Sequence, residues 1–303
     1  MVFLNAVLPI FLVLVVGKLV ALSPLIDRAG WNAVERLGLY VLFPALIVSV
    51  LASASFSWGA LTLIGVLIAA QVLLGAIGLA AKFAFSIPGP AAASIIQSNV
   101  RWNTFIGLSI AQALYGAEGL ALMAVASAGM IPTANLLSIS AFEGLSDSQS
   151  SLRQRAVSVL INPLIIACVI GGALGLSDVQ LPSFAAESLD LVAQAAIAIG
   201  LLCAGAALDF SSLNAARLRI AIWATVRLLG LPLFVVAIGS VVGLSGLPLF
   251  VAIIAAATPT ATNGVVLARQ MRGDAVLAAN LVAIQSLLSV ATIPLLLWVF
   301  ASG

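Results

Sequence analysis

Two stretches of this chain are apolar and long enough to cross a bilayer, yet a cluster of polar residues interrupts each of them. The first cluster, at 97–104, reads Gln-Ser-Asn-Val-Arg-Trp-Asn-Thr, and the second, at 258–263, reads Thr-Pro-Thr-Ala-Thr-Asn. Unsatisfied polar groups at membrane depth are costly, so such interruptions persist where they line a cavity enclosed by protein. Two of them, at corresponding places in two halves of a chain, are typical of a transporter's binding site.

The composition of the chain is that of a membrane protein. Of its 303 residues 63% are hydrophobic and 7% are charged, with a mean hydropathy of +1.26, whereas soluble chains carry about 25% charged residues. The chain has no histidine, and its two cysteines, Cys168 and Cys203, lie in apolar runs. We therefore predict an all-α membrane protein that is not an enzyme, with no metal site and no cofactor. The net charge of +2 is too small to indicate a nucleic-acid partner.

Hydropathy predicts ten membrane-spanning helices, because about 20 consecutive apolar residues are enough to cross the hydrocarbon core. Their predicted ranges are 2–20, 33–52, 58–81, 90–114, 118–141, 156–176, 187–207, 217–243, 247–270 and 275–301. Turn-forming residues separate several of them, as at 86–90, where serine, proline and glycine cluster. The longest polar connection, at 143–155, divides the chain into two halves of five spans each.

The positions of lysine and arginine predict the orientation of these spans. All but two of them flank odd-numbered connections, namely Lys18, Arg28, Arg36, Lys82, Arg153, Arg155, Arg217, Arg219, Arg269 and Arg272. The even-numbered connections and both termini carry none. By the positive-inside rule, the odd connections are cytoplasmic and both termini are extracytoplasmic.

An odd number of spans in each half predicts an inverted repeat, in which the two halves enter the membrane with opposite polarity. The predicted domains are a first repeat at 1–142, a cytoplasmic linker at 143–155 and a second repeat at 156–303. Glycine spacing supports this division: the first half has Gly107 and Gly116. The second half has Gly264 and Gly273 at the same spacing.

The repeat leaves the pairing of residues at the two breaks open. The glycine register aligns Asn103 with Thr260, whereas a shift of three residues aligns Asn103 with Asn263. In either register the fourth and ninth spans correspond. Each of them is predicted to be two half-helices that meet at an unwound midpoint.

Different residues account for the two predicted breaks. Pro259 cannot donate a backbone hydrogen bond, and its ring clashes with the carbonyl four residues earlier. The fourth span has no proline at that place, so its break depends on Ser98, Asn99 and Asn103, whose side chains compete for backbone partners. The alternatives are a kinked but continuous ninth helix, and a continuous fourth helix whose polar stripe bonds to its neighbours.

Around these breaks the chain resembles the auxin efflux carrier family, which includes plant PIN-type carriers and bacterial organic-acid carriers. The segments that carry the resemblance are 37–46 (LGLYVLFPAL), 102–116, 135–143 and 258–269. Trp102 stands where plant members of the family have proline. The short connection at 143–155 differs from the long central loop of plant carriers.

The resemblance implies ten transmembrane helices of the NhaA/bile-acid-symporter type, built as two inverted five-helix repeats with crossed, broken fourth and ninth helices. It also implies a scaffold of helices one, two, six and seven that mediates a homodimer. A mobile transport domain would then carry the crossed half-helices by elevator-type alternating access. The implied location is the plasma membrane of a bacterium, that is, its inner membrane.

The predicted substrate-binding residues surround the two breaks. They are Asn99, Arg101, Trp102, Asn103, Asn135, Pro259, Thr260, Thr262 and Asn263. Half-helix N-termini present unpaired N–H groups and the positive end of a dipole, which suits an anion. Arg101 could hold a carboxylate by a bidentate fork, or it could bind backbone carbonyls and stabilise the crossover. Arg227, in the eighth span, is interpreted as an arginine that snorkels to the membrane interface.

The acidic residues argue against coupling to a cation. All ten lie in connections or near predicted span ends, so neither break carries a carboxylate. A coupled cation would need an uncharged cage, for example from Gln71, Thr133 or Gln285. Such residues more often join helices in a bundle.

These observations favour a secondary active or facilitative transporter that exports or exchanges small organic anions, either an auxin-like aromatic acid or a mono- or dicarboxylate. The alternative is a sodium- or proton-coupled organic-acid symporter on the same fold. A channel is a weaker hypothesis, because inverted repeats with broken helices usually serve alternating access.

Overall fold

The computed structural model describes residues 2–53, 58–146, 161–177, 179, 181–210 and 217–301, and all regular structure within these ranges is helical. The helices are α1 (Val2–Leu22), α2 (Arg28–Leu37), α3 (Phe43–Ala52), α4 (Trp58–Ala84), α5 (Gly89–Val100), α6 (Thr104–Leu145), α7 (Pro163–Leu176), α8 (Ser183–Ala206), α9 (Arg217–Thr225), α10 (Leu231–Val241), α11 (Gly246–Ala257), α12 (Asn263–Gln270) and α13 (Ala275–Ala301). Most of the predicted linker at 143–155, and residues 156–160 of the predicted sixth span, lie outside the described ranges.

Seven helical stretches in the described part are long and apolar enough to cross a membrane. They are Val2–Leu22, Arg28–Ala52, Trp58–Ala84, Gly89–Leu145, Ser183–Ala206, Arg217–Val241 and Ala275–Phe300. Two shorter apolar helices, α7 and α11, accompany them. The described part of the chain is therefore all-helical, as predicted, with several candidate membrane spans.

The stretch Gly89–Leu145 contains 57 residues, which as a single straight helix would extend roughly 85 Å, far beyond a hydrocarbon core of about 30 Å. Residues 101–103 interrupt it, and Gly116 has a φ of +60° and a ψ of −145°. Only glycine adopts such a conformation readily. The chain reverses direction at Gly116, and the returning helix brings Asn135 back to accept a hydrogen bond from Arg101.

Two other spans contain a turn of π-helix next to a proline. Gly38–Leu42 joins α2 to α3, which has Pro44 in its first turn. Val226–Gly230 joins α9 to α10, which begins just before Pro232. Proline crowds the carbonyl of the preceding turn, and a wider turn relieves that crowding.

The interrupted helices occupy the centre of the protein. Every residue of α5 from Ala91 onwards is buried, and so is every residue of the second interrupted span from Val251 to Thr260. Surrounding helices therefore shield both breaks from lipid, which is the condition under which irregular backbone persists at membrane depth.

Candidate functional site

The first break lies between α5 and α6. Arg101 follows α5 in an extended conformation, and α6 begins after Asn103. The Asn103 side chain accepts hydrogen bonds from the backbone N–H groups of Phe105 (3.1 Å) and Ile106 (3.2 Å). Asn103 is therefore the N-cap that starts the second half-helix, so the break forms without a proline.

The second break lies between α11 and α12. Thr258 is extended at the end of α11, and its hydroxyl donates to the Ala255 carbonyl at 2.8 Å. The Thr260 N–H donates to Oε1 of Gln285 at 2.9 Å. Pro259, between these two threonines, contributes no donor, and the helix resumes at Asn263.

The two breaks are in direct contact. The backbone N–H of Asn103 donates to the carbonyl of Pro259 at 2.8 Å. This bond joins residues far apart in sequence at the point where both backbones are unwound. Each break thus supplies part of the hydrogen bonding that the other lacks.

Arg227 stabilises the C-terminal ends of both first half-helices. Its Nε and Nη2 lie 3.4 and 3.2 Å from the Arg101 carbonyl oxygen, and its Nη1 donates to the carbonyl of Ala256. The side chain is fully buried. The interpretation of Arg227 as a snorkelling residue is therefore wrong. The unpaired carbonyls at two helix C-termini draw its guanidinium into the protein, because they carry partial negative charge.

Two glutamines also bind backbone at the breaks. Nε2 of Gln71, on α4, donates to the Val100 carbonyl at 2.7 Å, and Gln285, on α13, accepts from Thr260 as described above. Thr133, by contrast, donates to Gly129 within its own helix. The two glutamines join neighbouring helices to the broken ones.

Arg101 projects from the first break towards three uncharged side chains. Its Nη2 donates to Oδ1 of Asn135 at 2.8 Å, its Nη1 to Oδ1 of Asn263 at 3.2 Å and its Nε to the hydroxyl of Ser138 at 3.2 Å. These bonds orient the guanidinium, but none of the three partners carries a charge that could neutralise it. The positive charge therefore remains available to an anion.

A cavity of about 780 Å³ opens beside the breaks. Six of the predicted site residues line it: Arg101, Trp102, Asn103, Asn135, Thr262 and Asn263. Its opposite wall comes from α2, the π-helical turn after it, α3 and α8, and it includes Tyr40, Phe43 and Cys203. Its outer part includes Asn32, Arg36 and Gln270, next to connections that carry lysine and arginine.

The other three predicted site residues do not line this cavity. Asn99, Pro259 and Thr260 are buried behind the breaks. Both side-chain polar atoms of Asn99, and the hydroxyl of Thr260, have no hydrogen-bond partner among the described residues. These residues are part of a buried polar layer between the broken helices and the helices that support them.

The N-termini of the second half-helices are less open than the sequence predicts. At α6 the Asn103 side chain occupies two N–H groups. At α12 the N–H groups of Gly264 and Val265 bond to carbonyls of the preceding turn. At the breaks, Arg101 is therefore the group best suited to bind an anion in the cavity. Ser138, which helps to orient Arg101, has no signal in the sequence that would distinguish it from other helical serines.

Comparison with known families identifies one match. The family model described as membrane transport protein, the auxin efflux carrier and PIN-like family, matches residues 148–298, about half of the 303 residues. This is a family of transporters and not of enzymes. No curated protein matches the chain with significant similarity. The match confirms the resemblance found in the sequence.

Proposed function

We propose that this chain, which over residues 148–298 belongs to the auxin efflux carrier and PIN-like family of membrane transport proteins, is a secondary carrier for small organic anions. It would export or exchange an auxin-like aromatic acid or a mono- or dicarboxylate. The membrane potential assists such export, since moving one charge across 100 mV is worth about 2.3 kcal/mol.

The observation that carries this proposal is the cationic side chain of Arg101 at the first break. It lines a cavity of about 780 Å³, which lies within the range of roughly 300–1,000 Å³ typical of small-molecule sites. The amides of Asn135 and Asn263 hold its guanidinium there, and the apolar wall beyond it includes Tyr40 and Phe43. A planar cation in a cavity whose wall includes aromatic rings suits a carboxylate attached to an apolar body.

The same proposal includes ten transmembrane helices in two inverted repeats, at 1–142 and 156–303. The count of helices supports it. Gly89–Leu145 is long enough for two spans, and the six other long apolar stretches supply one each. The helix α7 and the pair α11–α12 supply the last two of the ten. The direct bond between Asn103 and Pro259 supports crossed fourth and ninth helices.

We further propose elevator-type alternating access, in which the broken helices move against a scaffold of helices one, two, six and seven. That scaffold would mediate a homodimer in the bacterial inner membrane. The charge distribution supports cytoplasmic odd-numbered connections and extracytoplasmic termini. The cavity beside Arg101 would then face the cytoplasm.

A transport assay on the purified protein tests the proposal. Proteoliposomes are given radiolabelled indole-3-acetate, benzoate, acetate and succinate, and uptake is compared for wild type, Arg101→Gln, Arg101→Lys and Arg269→Gln. We expect wild type to transport at least one anion and Arg101→Gln to transport none. Arg101→Lys should be impaired, since an ammonium cannot form the bidentate fork. Arg269 is exposed and does not line the cavity, so Arg269→Gln is the matched control.

Thermal melting separates a binding role of Arg101 from a structural one. A transported anion should raise the melting temperature of wild type with dose. Arg101→Gln should lose this rise while it keeps most of its melting temperature without ligand. Failure of wild type to transport any of the four anions would refute the proposal. Full transport by Arg101→Gln would refute the assigned role of Arg101.

A sodium-coupled carrier is the second candidate, because buried oxygens near the breaks lack partners among the described residues. They belong to Gln71, Gln97, Asn99 and Thr260, and amide and hydroxyl oxygens are suitable cation ligands. The guanidinium of Arg227, already bonded to the Arg101 carbonyl, would repel a cation there. Stabilisation of the protein by sodium, but not by potassium at equal ionic strength, would favour the coupled carrier.

A further inference from the structure

A second cavity, of about 710 Å³, lies further along the same helices. It is lined by α1, α3, α6 and α8, and its polar side chains are Ser49, Ser109, Gln112, Asp190 and Gln194. Gln112, Asp190 and Gln194 are exposed to it. Such groups are unfavourable against lipid tails, which indicates that water fills this cavity.

The two cavities share three helices and are separated by an aromatic barrier. On α6, Phe105 lines the first cavity and Ser109 the second. The Phe105 ring lies 4.1 Å from the ring of Phe43, measured between centroids. On α8, Gly200 leaves room for the Phe105 ring, which a Cβ atom at that position would overlap.

The charges of the two cavities differ in sign. The first is lined by Arg36 and Arg101 together with one acid, Glu35. The only charged residue described in the lining of the second is Asp190. The Ser49 hydroxyl, on α3, donates to Oδ1 of Asp190, on α8, and so fixes the carboxylate in the cavity wall.

The second cavity also lies towards the other face of the protein. Ser49 is close to the end of α3, Gln112 is close to the turn at Gly116, and Asp190 is two turns from the start of α8. These ends adjoin even-numbered connections, which carry no lysine or arginine. The positive-inside rule places that face outside the cell.

We propose that the second cavity is the extracytoplasmic vestibule of the carrier, and that Asp190 weakens the binding of the organic anion there, so that exported anion occupies the outward-facing site less at a given external concentration. This inference rests on the proposed function. An anion released past Phe105 meets a fixed negative charge, whereas an anion on the cytoplasmic side meets the net positive lining around Arg101. Asp190 would thus set the affinity of the outward-facing state, whereas the anion gradient and the membrane potential set the direction of net flux.

The first test measures the electrostatic potential of the cavity with charged thiol reagents. Gln194→Cys is made in a chain that also carries Cys168→Ser and Cys203→Ser, and its rates of reaction with cationic MTSET and anionic MTSES are compared. Gln194 lies one helical turn from Asp190, at about 6 Å, so at 0.1 M salt one charge changes each rate by about twofold in water and their ratio by about fourfold. Asp190→Asn, which can still accept from Ser49, should lower the cation-to-anion ratio by that factor.

Glu187→Gln is the matched control, because it removes the same charge from α8 at a residue that does not line the cavity. Its distance from Gln194 is about 10 Å, close to the Debye length at 0.1 M salt, so it should change the ratio by less than about twofold. An unreactive Gln194→Cys, or a ratio that Asp190→Asn leaves unchanged, would overturn the proposal.

The second test measures the consequence for transport in right-side-out and inside-out membrane vesicles, using labelled indole-3-acetate and benzoate. Asp190→Asn should lower the KM for the anion on the extracytoplasmic side about threefold and leave the KM on the cytoplasmic side unchanged. If the extracytoplasmic KM of Asp190→Asn equalled that of wild type, the role of Asp190 would be overturned, whereas the proposed function would stand. Transport of neither anion by wild type would refute the proposed function, and this inference with it.

Discussion

Replacing Arg227 with methionine should destabilise both helix breaks together. The methionine fills much of the same space but donates no hydrogen bond. The carbonyls of Arg101 and Ala256 would lose their guanidinium partner inside the protein. Each buried acceptor left unsatisfied costs about 1–3 kcal/mol, so two of them predict a loss of about 2–6 kcal/mol.

The measurement is thermal unfolding of the purified protein in detergent. For a chain of this size a loss of 1 kcal/mol lowers the melting temperature by roughly 2 °C, so Arg227→Met should melt roughly 4–12 °C below wild type. Arg227→Lys should fall between the two, because a single ammonium cannot reproduce the three nitrogens that span both carbonyls.

Arg219→Met provides the matched control. It removes the same charge from the same candidate span, about two turns before Arg227, at a residue that is only partly buried. Such a change is expected to alter stability by less than about 0.5 kcal/mol. If Arg227→Met had the melting temperature of wild type, or if Arg219→Met lost as much stability as Arg227→Met, then Arg227 would not be the residue that stabilises the two helix ends.

Three further substitutions test individual contacts. Asn103→Ala should lower the free energy of unfolding by about 1 kcal/mol, because the N-cap bonds to Phe105 and Ile106 are lost. Asn103→Ser should recover most of this loss, because serine is also a good N-cap. Equal melting temperatures for wild type and both variants would contradict the prediction. Gly205→Ala places a Cβ against the Leu14 carbonyl where α1 and α8 pack closely, and should cost about 1–3 kcal/mol by thermal melting. Gly65→Ala, whose Cβ meets nothing within 4 Å, should be neutral or stabilising and serves as its control. Gly200→Ala should also destabilise the protein by about 1–3 kcal/mol, because its Cβ overlaps the Phe105 ring. In a double-mutant cycle, adding Phe105→Ala should cancel that penalty. Additive effects would show that the two residues do not interact.

Several features of the protein could be predicted from the order of its residues alone. Helix lengths follow from apolar runs, so the predicted spans 2–20, 58–81 and 275–301 agree with Val2–Leu22, Trp58–Ala84 and Ala275–Ala301 to within a few residues. The positions of both interruptions follow from Pro259 and from the polar cluster around Asn103, because these residues disturb a helix locally.

The candidate site was predicted only in part, since sequence spacing does not show which way a residue faces. Asn99 and Thr260 have the same chemistry as Asn103 and Thr262, yet the first two are buried behind the breaks and the second two line the cavity. Which face of each half-helix lines the cavity depends on how far the chain rotates where it unwinds.

The partners of the breaks were decided by the tertiary structure. Arg227 lies 126 residues from the Arg101 carbonyl that it binds, and Gln71 lies 29 residues from Val100. A lone arginine near the end of an apolar span has the same sequence pattern whether it snorkels or turns inward. The sequence by itself determined that this chain enters a membrane and where its helices unwind, because apolar length and proline act along the chain. Only the tertiary structure decided which side chains satisfy the unwound backbone, because those bonds depend on which helices pack against each other.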